Sequence, residues 1–350
     1  MPRPVTIRTV ARMAGCSIAT VSRVMNGTGP ASVEAETRVR AAVAELGFRP
    51  SEIGRSLKTL RTRTLGVVIP SLTNPVFASS VAGIEAEARK HGHVLLVTAT
   101  DYDPGREREL VDTLVAQSVA GLVMTVADPD SNPTLDHLDT AGIPYVLVYN
   151  EPQRSGRAAV TVDNAASGRT LTRAFIDKGH ARILFVGGRF SSSDRSRLRY
   201  RGYALAMREA GLQAAPVLEL DYLADVAAHR VALETLFAVQ PCPSALICSN
   251  DLLALSIAAA VRDMGLRVPQ DISVAGFDGI SIGRLVSPSL CTIDQPTRLM
   301  GERAVQRLFE LIACTGLRAV EHLPFRLRLG ESIAAAPEDT GIGPLATLTA

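Results

Sequence analysis

The side chains able to do covalent or metal chemistry are present, but their spacing does not support it. Five cysteines, Cys16, Cys242, Cys248, Cys291 and Cys314, are scattered and odd in number, with no C-x-x-C pair. Neither a disulfide framework nor a zinc site is expected from them. The six histidines, His91, His93, His137, His180, His229 and His322, form no ligand-spaced cluster, and most read as loop or surface residues. The run Ser191-Ser192-Ser193 lacks the G-x-S-x-G turn that exposes a nucleophilic serine and reads as a polar loop. No G-x-G-x-x-G opens a helix after the first strand signal, and there is no P-loop. Neither an enzyme nor a bound metal or cofactor is expected.

What remains is ionic and hydrogen-bonding chemistry. Residues 1–63 carry eleven Lys or Arg and four Glu, a net +7, while residues 64–350 carry 26 basic and 31 acidic side chains, a net −5. A basic head on an acidic body suits phosphate neutralisation, which drives association with nucleic acid. The chain has 350 residues, 47% hydrophobic and 21% charged, enough for two or three globular domains. No apolar run of about 18 residues suggests a transmembrane helix. The start, Met1-Pro2-Arg3-Pro4-Val5, shows no apolar signal region, so a cytoplasmic protein is expected.

The head carries three helix signals. Thr6 caps a helix through Ala14 with Ile7, Val10, Ala11 and Ala14 on one face. Gly15-Cys16 breaks it, and Ser17 caps a second helix, Ile18 to Met25, with Val21 and Val24 inward. Helix, glycine turn, helix is the pattern of a helix-turn-helix. Ser32 caps a third helix with Val39, Ala42, Val43 and Leu46 buried. From Thr64 the pattern alternates between strand and helix. Strand signals stand at 65–69, 93–98, 121–125 and 145–148, with helices near 76–91, 106–117 and 133–141. A second run follows, opened by A-V-T-V (159–162), with strands at 183–186, 217–220, 245–248 and 272–277. Its helices lie near 167–178, 198–210, 224–238 and 251–264. Two doubly wound parallel sheets are expected, with a ligand cleft at the carboxyl ends of their strands.

The run T-I-R-T-V-A-R-M-A-G-C-S-I-A-T-V-S-R-V-M-N-G (6–27), followed by T-R-V-R-A-A-V-A-E-L-G-F-R-P (37–50), resembles the DNA-binding head of the LacI/GalR (lactose-repressor) family. The body resembles that family's regulatory core, itself similar to periplasmic sugar-binding proteins. Its marks are N-P-V-F (74–77), D-K-G-H-A-R-I (177–183), R-Y-R-G-Y (199–203), S-N-D (249–251), V-P-Q-D-I-S-V-A-G-F-D (268–278) and S-P-S-L-C-T-I-D-Q-P (287–296). The implied organisation is a helix-turn-helix domain over 1–50 and a hinge helix and linker over 51–63. An α/β periplasmic-binding-protein-like core covers 64–335. Lobe one takes 64–162 and 296–322, and lobe two takes 163–295 and 323–335. A flexible tail covers 336–350; it has no apolar heptads, so a dimer rather than a coiled-coil tetramer is expected.

The resemblance assigns roles by position. Ser17, Ile18, Ala19, Thr20 and Ser22 open the recognition helix in the major groove. Ile18 and Ala19 are apolar, so they suit thymine methyl groups and make no bidentate base contact. Arg23 suits guanine O6/N7. Thr6, Thr20, Ser22 and Asn26 are read as phosphate contacts that set register. Thr9 stands where the family often has an acidic residue. In the hinge, Leu57 matches a leucine that wedges into the minor groove at a central C·G step, flanked by Arg55 and Lys58. Gly54 stands where alanine is usual, at a cost of about 1 kcal/mol of helix propensity. In the cleft, Arg199, Tyr222, Asn250 and Asp278 are expected to hold an effector from lobe two. Ser71, Asn74, Phe77 and Tyr149 face it from lobe one, and Gln295 lies at the crossover.

The implied function is a transcriptional regulator, a repressor, acting as a homodimer on a near-palindromic double-stranded operator and controlled by a small molecule. A neutral sugar or sugar derivative suits the lone arginine and the tyrosine; a purine or nucleoside would stack on the same aromatic face. The alternative is a solute-binding protein without DNA function, against which the basic head and the missing signal region both weigh.

Overall fold

A hydroxyl at each amino end and a small apolar side chain at each inward position fold the head into three helices. The computed structural model describes residues 5–26, 29–48, 62–153, 156–239 and 242–337. Helix α1 spans Ile7–Ala14, α2 spans Ile18–Asn26 and α3 spans Val33–Leu46. Thr9 returns the cap of α1: its Oγ1 accepts from the Thr6 amide at 3.4 Å and meets the Thr6 hydroxyl at 3.2 Å. So the threonine does locally what an acidic residue does in a capping box. Gly15 turns the chain at φ 60°, where a side chain would be strained. Ser17 Oγ then accepts from the Thr20 amide at 3.1 Å, and Ser32 Oγ from the Ala35 amide at 3.2 Å. Val10, Val21 and Val39, one from each helix, are fully buried against Ala11, Ala14 and Ala42. Each such valine contributes roughly 1.5–3 kcal/mol. This head, through Thr62, forms one compact unit, and the chain from Arg63 forms another.

The second unit holds two six-stranded sheets. The first contains β1 (Thr64–Ile69), β2 (Val94–Ala99), β3 (Leu122–Met124), β4 (Tyr145–Val148), β5 (Ala159–Thr161) and β11 (Val320–His322), in the order β11-β5-β4-β3-β1-β2. The second contains β6 (Ile183–Gly188), β7 (Leu218–Leu220), β8 (Ala245–Cys248), β9 (Ser273–Asp278), β10 (Cys291–Asp294) and β12 (Arg326–Arg328), in the order β12-β10-β9-β8-β6-β7. All neighbours are parallel except β10 and β12. The central strands are continuous apolar runs because helices cover both faces. The segment 159–162, which the strand pattern made the opening of the second run and the family bounds left in lobe one, joins the first sheet between β4 and β11.

Helices α4 (Pro75–Lys90), α5 (Gly105–Ala116) and α6 (Pro133–Ala141) belong to the first lobe. Helices α7 (Asn164–Ile176), α8 (Asp194–Glu209), α9 (Val226–Val239) and α10 (Asp251–Asp263) belong to the second, while α11 (Thr297–Ile312) returns to the first. A Cβ added at Gly168 would stand 2.2 Å from the Arg199 carbonyl, and one at Gly202 would stand 2.0 Å from the Ala165 carbonyl. These two glycines let α7 and α8 touch backbone to backbone, which fixes α8 and the side chains it carries. The chain passes between the sheets after β5, after β10 and between β11 and β12.

Among the described residues no helix is long and apolar enough to cross a membrane, and no group of His, Cys, Asp or Glu is arranged to hold a metal ion. Two histidines depart from the surface reading. His180 is buried between the Ser244 hydroxyl and the Ala334 carbonyl, and His229 between the Ser256 hydroxyl and the Asp221 carbonyl. Both are core histidines with satisfied rings. Within the second lobe's last segment, Ile333 is buried in the core; residues 338–350 of the expected tail lie outside the described residues.

Candidate functional site

In the head, burial of Val21 sets which side of α2 faces outward. Ser17, Ile18, Ala19 and Arg23 are exposed, and Ile18 is 42% exposed despite being apolar. Thr20 and Ser22 are half-buried, and Thr6 is exposed at the start of α1. The Ser17 and Thr20 hydroxyls bond each other at 2.9 Å, so they also serve the cap. The α2 side thus offers apolar, hydroxyl and guanidinium groups together, the set that reads a major groove and grips phosphates. The side chain of Asn26 and the expected hinge residues Arg55, Leu57 and Lys58 lie outside the described residues.

In the second unit, the strand ends bring seven of the nine expected residues around one small cavity: Asn74, Phe77, Tyr149, Arg199, Tyr222, Asn250 and Asp278. Arg199 is its anchor. Its Nε donates to Asn164 Oδ1 at 3.0 Å, and its Nη1 donates to the Ser249 carbonyl at 2.6 Å and to Asp278 Oδ1 at 3.4 Å. The guanidinium also lies 4.8 Å over the Phe277 ring. Asp278 ends β9 at φ 112° and accepts a second bond from Gln295 Nε2 at 2.8 Å. Burial pushes its carboxyl up to about 6, against the pull of Arg199 and Arg195. Asn250 caps α10, its Oδ1 accepting from the Leu253 amide at 2.7 Å. Asn74 caps α4 through the Val76 amide, and its Nδ2 donates to the Tyr102 hydroxyl at 3.4 Å. Tyr149, at φ 70°, donates its hydroxyl to the Val76 carbonyl and sets its ring edge-on to Phe77 at 5.5 Å.

Two expected residues do not line the cavity. Ser71 Oγ accepts from the Thr73 and Asn74 amides, so it shapes the turn that presents Asn74. Gln295 reaches the site only through Asp278. Four lining residues escaped the sequence reading: Val76, Tyr102, Ser193 and Arg195. Tyr102 follows β2 as the other site residues follow their strands, so the strand-end rule would have found it. Arg195 precedes Arg199 by one helical turn, but the polar run Asp194-Arg195-Ser196-Arg197 hides that turn from hydrophobic periodicity. Apolar spacing therefore shows the helix only from about 198, whereas it begins at Asp194 with Ser193 as its cap.

That hidden turn also ties the lobes together. The Asp194 amide donates to the Ala127 carbonyl at 2.9 Å. Its carboxylate accepts from Asn150 Nδ2 at 2.8 Å, the Glu151 amide at 3.2 Å and Arg195 Nη1 at 2.9 Å. Arg195 Nη1 also donates to the Val126 carbonyl at 3.1 Å. Asp194, Arg195 and Asn150 are all buried, and burial raises the Asp194 carboxyl above its ordinary range. The cleft thus sets two arginines against two aspartates, with amides and aromatic faces between them. Such a lining suits a neutral, hydroxyl-rich molecule.

Both units have counterparts among known proteins. Residues 6–51 match the model described as bacterial regulatory proteins, lacI family, and residues 172–333 match a periplasmic binding protein-like domain. The HTH-type transcriptional repressor PurR of Photobacterium profundum is 33% identical over 310 residues, covering 88% of this chain and 92% of that protein. The ribose operon repressor of Haemophilus influenzae is 31% identical over 307 residues, covering 88% and 92%. The solved lac repressor dimer bound to operator and the anti-inducer ONPF superposes with a TM-score of 0.85 at 27% identity, covering 95% of this chain and all of that one.

Proposed function

The chain belongs to the lacI family of bacterial regulatory proteins, and from that premise we propose how its residues share the work of repression. It is a DNA-binding transcriptional repressor with an effector-binding core, acting as a dimer on operator DNA in the cytoplasm, and it is not an enzyme. A solute-binding role without DNA is not favoured, because the head itself matches the regulatory family. Our reading of the head is that α2 enters the major groove. Arg23 reads a guanine, Ile18 and Ala19 read thymine methyls, Ser17 opens the helix in the groove, and the Thr6, Thr20, Ser22 and Asn26 positions set register. Leu57, with Arg55 and Lys58, acts in the minor groove at a central C·G step.

The effector in this reading is a neutral carbohydrate held between the lobes. Arg199 and Asp278 form a buried donor–acceptor pair at its hydroxyls, with Asn250 and Asn74 at the edges and Tyr222 on its face. The Arg199–Asp278 pair carries this reading. It is buried, aimed into the cleft and matched in charge, so it asks for hydroxyls and not for an ion. The effector shifts DNA affinity by a coupling free energy of about 1–3 kcal/mol. Footprinting upstream of the chain's own and neighbouring genes, titrated with sugars and nucleosides, tests this directly. A protected near-palindrome whose occupancy one sugar changes is expected, and Arg199→Ala should keep the footprint and lose the response. A response to the same sugar that survives in Arg199→Ala would remove that arginine from the site.

A further inference from the structure

The inner cavity as it stands has a volume of about 20 Å³, room for about one water molecule. Its outer wall is a pair of rings. Tyr102 and Tyr222 meet with centroids 4.7 Å apart and planes tilted by 44°. Beyond them lies a second, larger compartment of about 310 Å³, bordered by Asp103, Pro104, Arg189, Ser191, Ser192 and Asp221. Ligand pockets for small molecules run to roughly 300–1,000 Å³. The inner space alone therefore holds no ring, and opening the tyrosine partition joins it to a space that does.

The two tyrosines are held in ways that permit that opening. Each hydroxyl has one side-chain partner on its own lobe: Tyr102 meets Asn74 Nδ2 at 3.4 Å and Tyr222 meets Ser249 Oγ at 2.7 Å. Tyr102 follows Asp101 in a left-handed stretch, at φ 58° after φ 54°. A bulky side chain is strained in this conformation, and such strain gathers at ligand clamps. The outer compartment is mixed, with Leu220, Leu223 and the two tyrosine rings standing beside its charged and hydroxyl groups. In its lining Arg189 lies 3.7 Å from Asp221, and both of them and Ser191 are exposed. Charged and hydroxyl groups beside leucine and tyrosine faces match a second sugar ring, which presents hydroxyls at its rim and C–H groups on its faces.

We infer that the effector is a saccharide of at least two linked rings, one held at Arg199 and Asp278 and the next in the outer compartment, with Tyr102 and Tyr222 parting to stack on the ring between lobes. This rests on the carbohydrate reading of the cleft. Calorimetry on the full chain decides it, using matched pairs: glucose against maltose and cellobiose, galactose against lactose and melibiose, xylose against xylobiose, with inosine and guanosine alongside. At least one disaccharide should bind about tenfold or more tighter than its single-ring unit. In Ser191→Trp, where an indole fills the outer space, and in Arg189→Ala, that ratio should fall toward one. A single ring binding as tightly as every disaccharide overturns the two-compartment inference and leaves the carbohydrate reading standing. A tenfold preference that survives both variants also overturns it. Binding of a nucleoside with no saccharide binding, or no saccharide binding at all, overturns both.

Discussion

Asp278 is the residue whose chemistry is most exposed to test. A carboxylate accepts hydroxyl hydrogens with both oxygens only when ionised. Burial lifts its carboxyl from the ordinary 3.8 to about 6, so between those values the fold holds a proton that the unfolded chain has released. In that window this group makes the fold less stable as pH rises, while the ionised form it yields is the one that receives hydroxyls. Saccharide affinity should therefore drop by about tenfold from pH 7.5 to pH 5, with a midpoint near 6. Asp278→Asn should bind more weakly and show a flat profile. Calorimetry across that range checks both, and an unchanged slope in the asparagine variant would assign the titration to another group. The same residue shows what a sequence conveys. Asp278 ends a strand, Asn250, Tyr149 and Asn74 each follow one, and their polarity at a strand end is visible without coordinates. Ser71 has the same polarity and position, yet its hydroxyl is consumed by two amides, and only the backbone geometry tells the two cases apart.

At the level of elements, the first turn of α8 carries the closure of the core. Asp194 and Arg195 reach from the second lobe to Val126, Ala127, Asn150 and Glu151 of the first. Breaking a buried pair by removing one partner costs roughly 3–5 kcal/mol, here charged against the closed arrangement of the lobes. Asp194→Ala should speed hydrogen exchange at the Glu151 amide, which loses its acceptor, and leave the Val67 amide inside β1 at its native rate. Equal exchange at Glu151 in both proteins would mean the lobes are held by other contacts. Hydrophobic spacing is silent at this turn, because four polar residues in succession carry no apolar period. The strand at 159–161 departs from the run in which its pattern alone placed it for a related reason. A short apolar run announces a strand but not its neighbours, and sheet membership is settled by the crossover that follows at Asp163. The long amphipathic helices and continuous apolar strands are legible because burial on both faces leaves no other composition.

At the scale of the whole molecule, one chain holds two dissimilar binding surfaces, a basic three-helix head and a closed, charge-balanced cleft. Basic and acidic residues partition between the two units as those tasks require. In the proposed reading the head contacts phosphates and base edges and the core recognises neutral hydroxyls, so neither surface does the other's work. Regulation then depends on coupling, and coupling between two equilibria is reciprocal. The most direct test is therefore a linked titration. Effector affinity is measured by calorimetry with and without saturating operator DNA, and operator affinity by anisotropy with and without saturating effector. The two ratios should agree and lie between about 5-fold and 150-fold. An effector affinity identical in the presence and absence of operator would contradict the account at its centre.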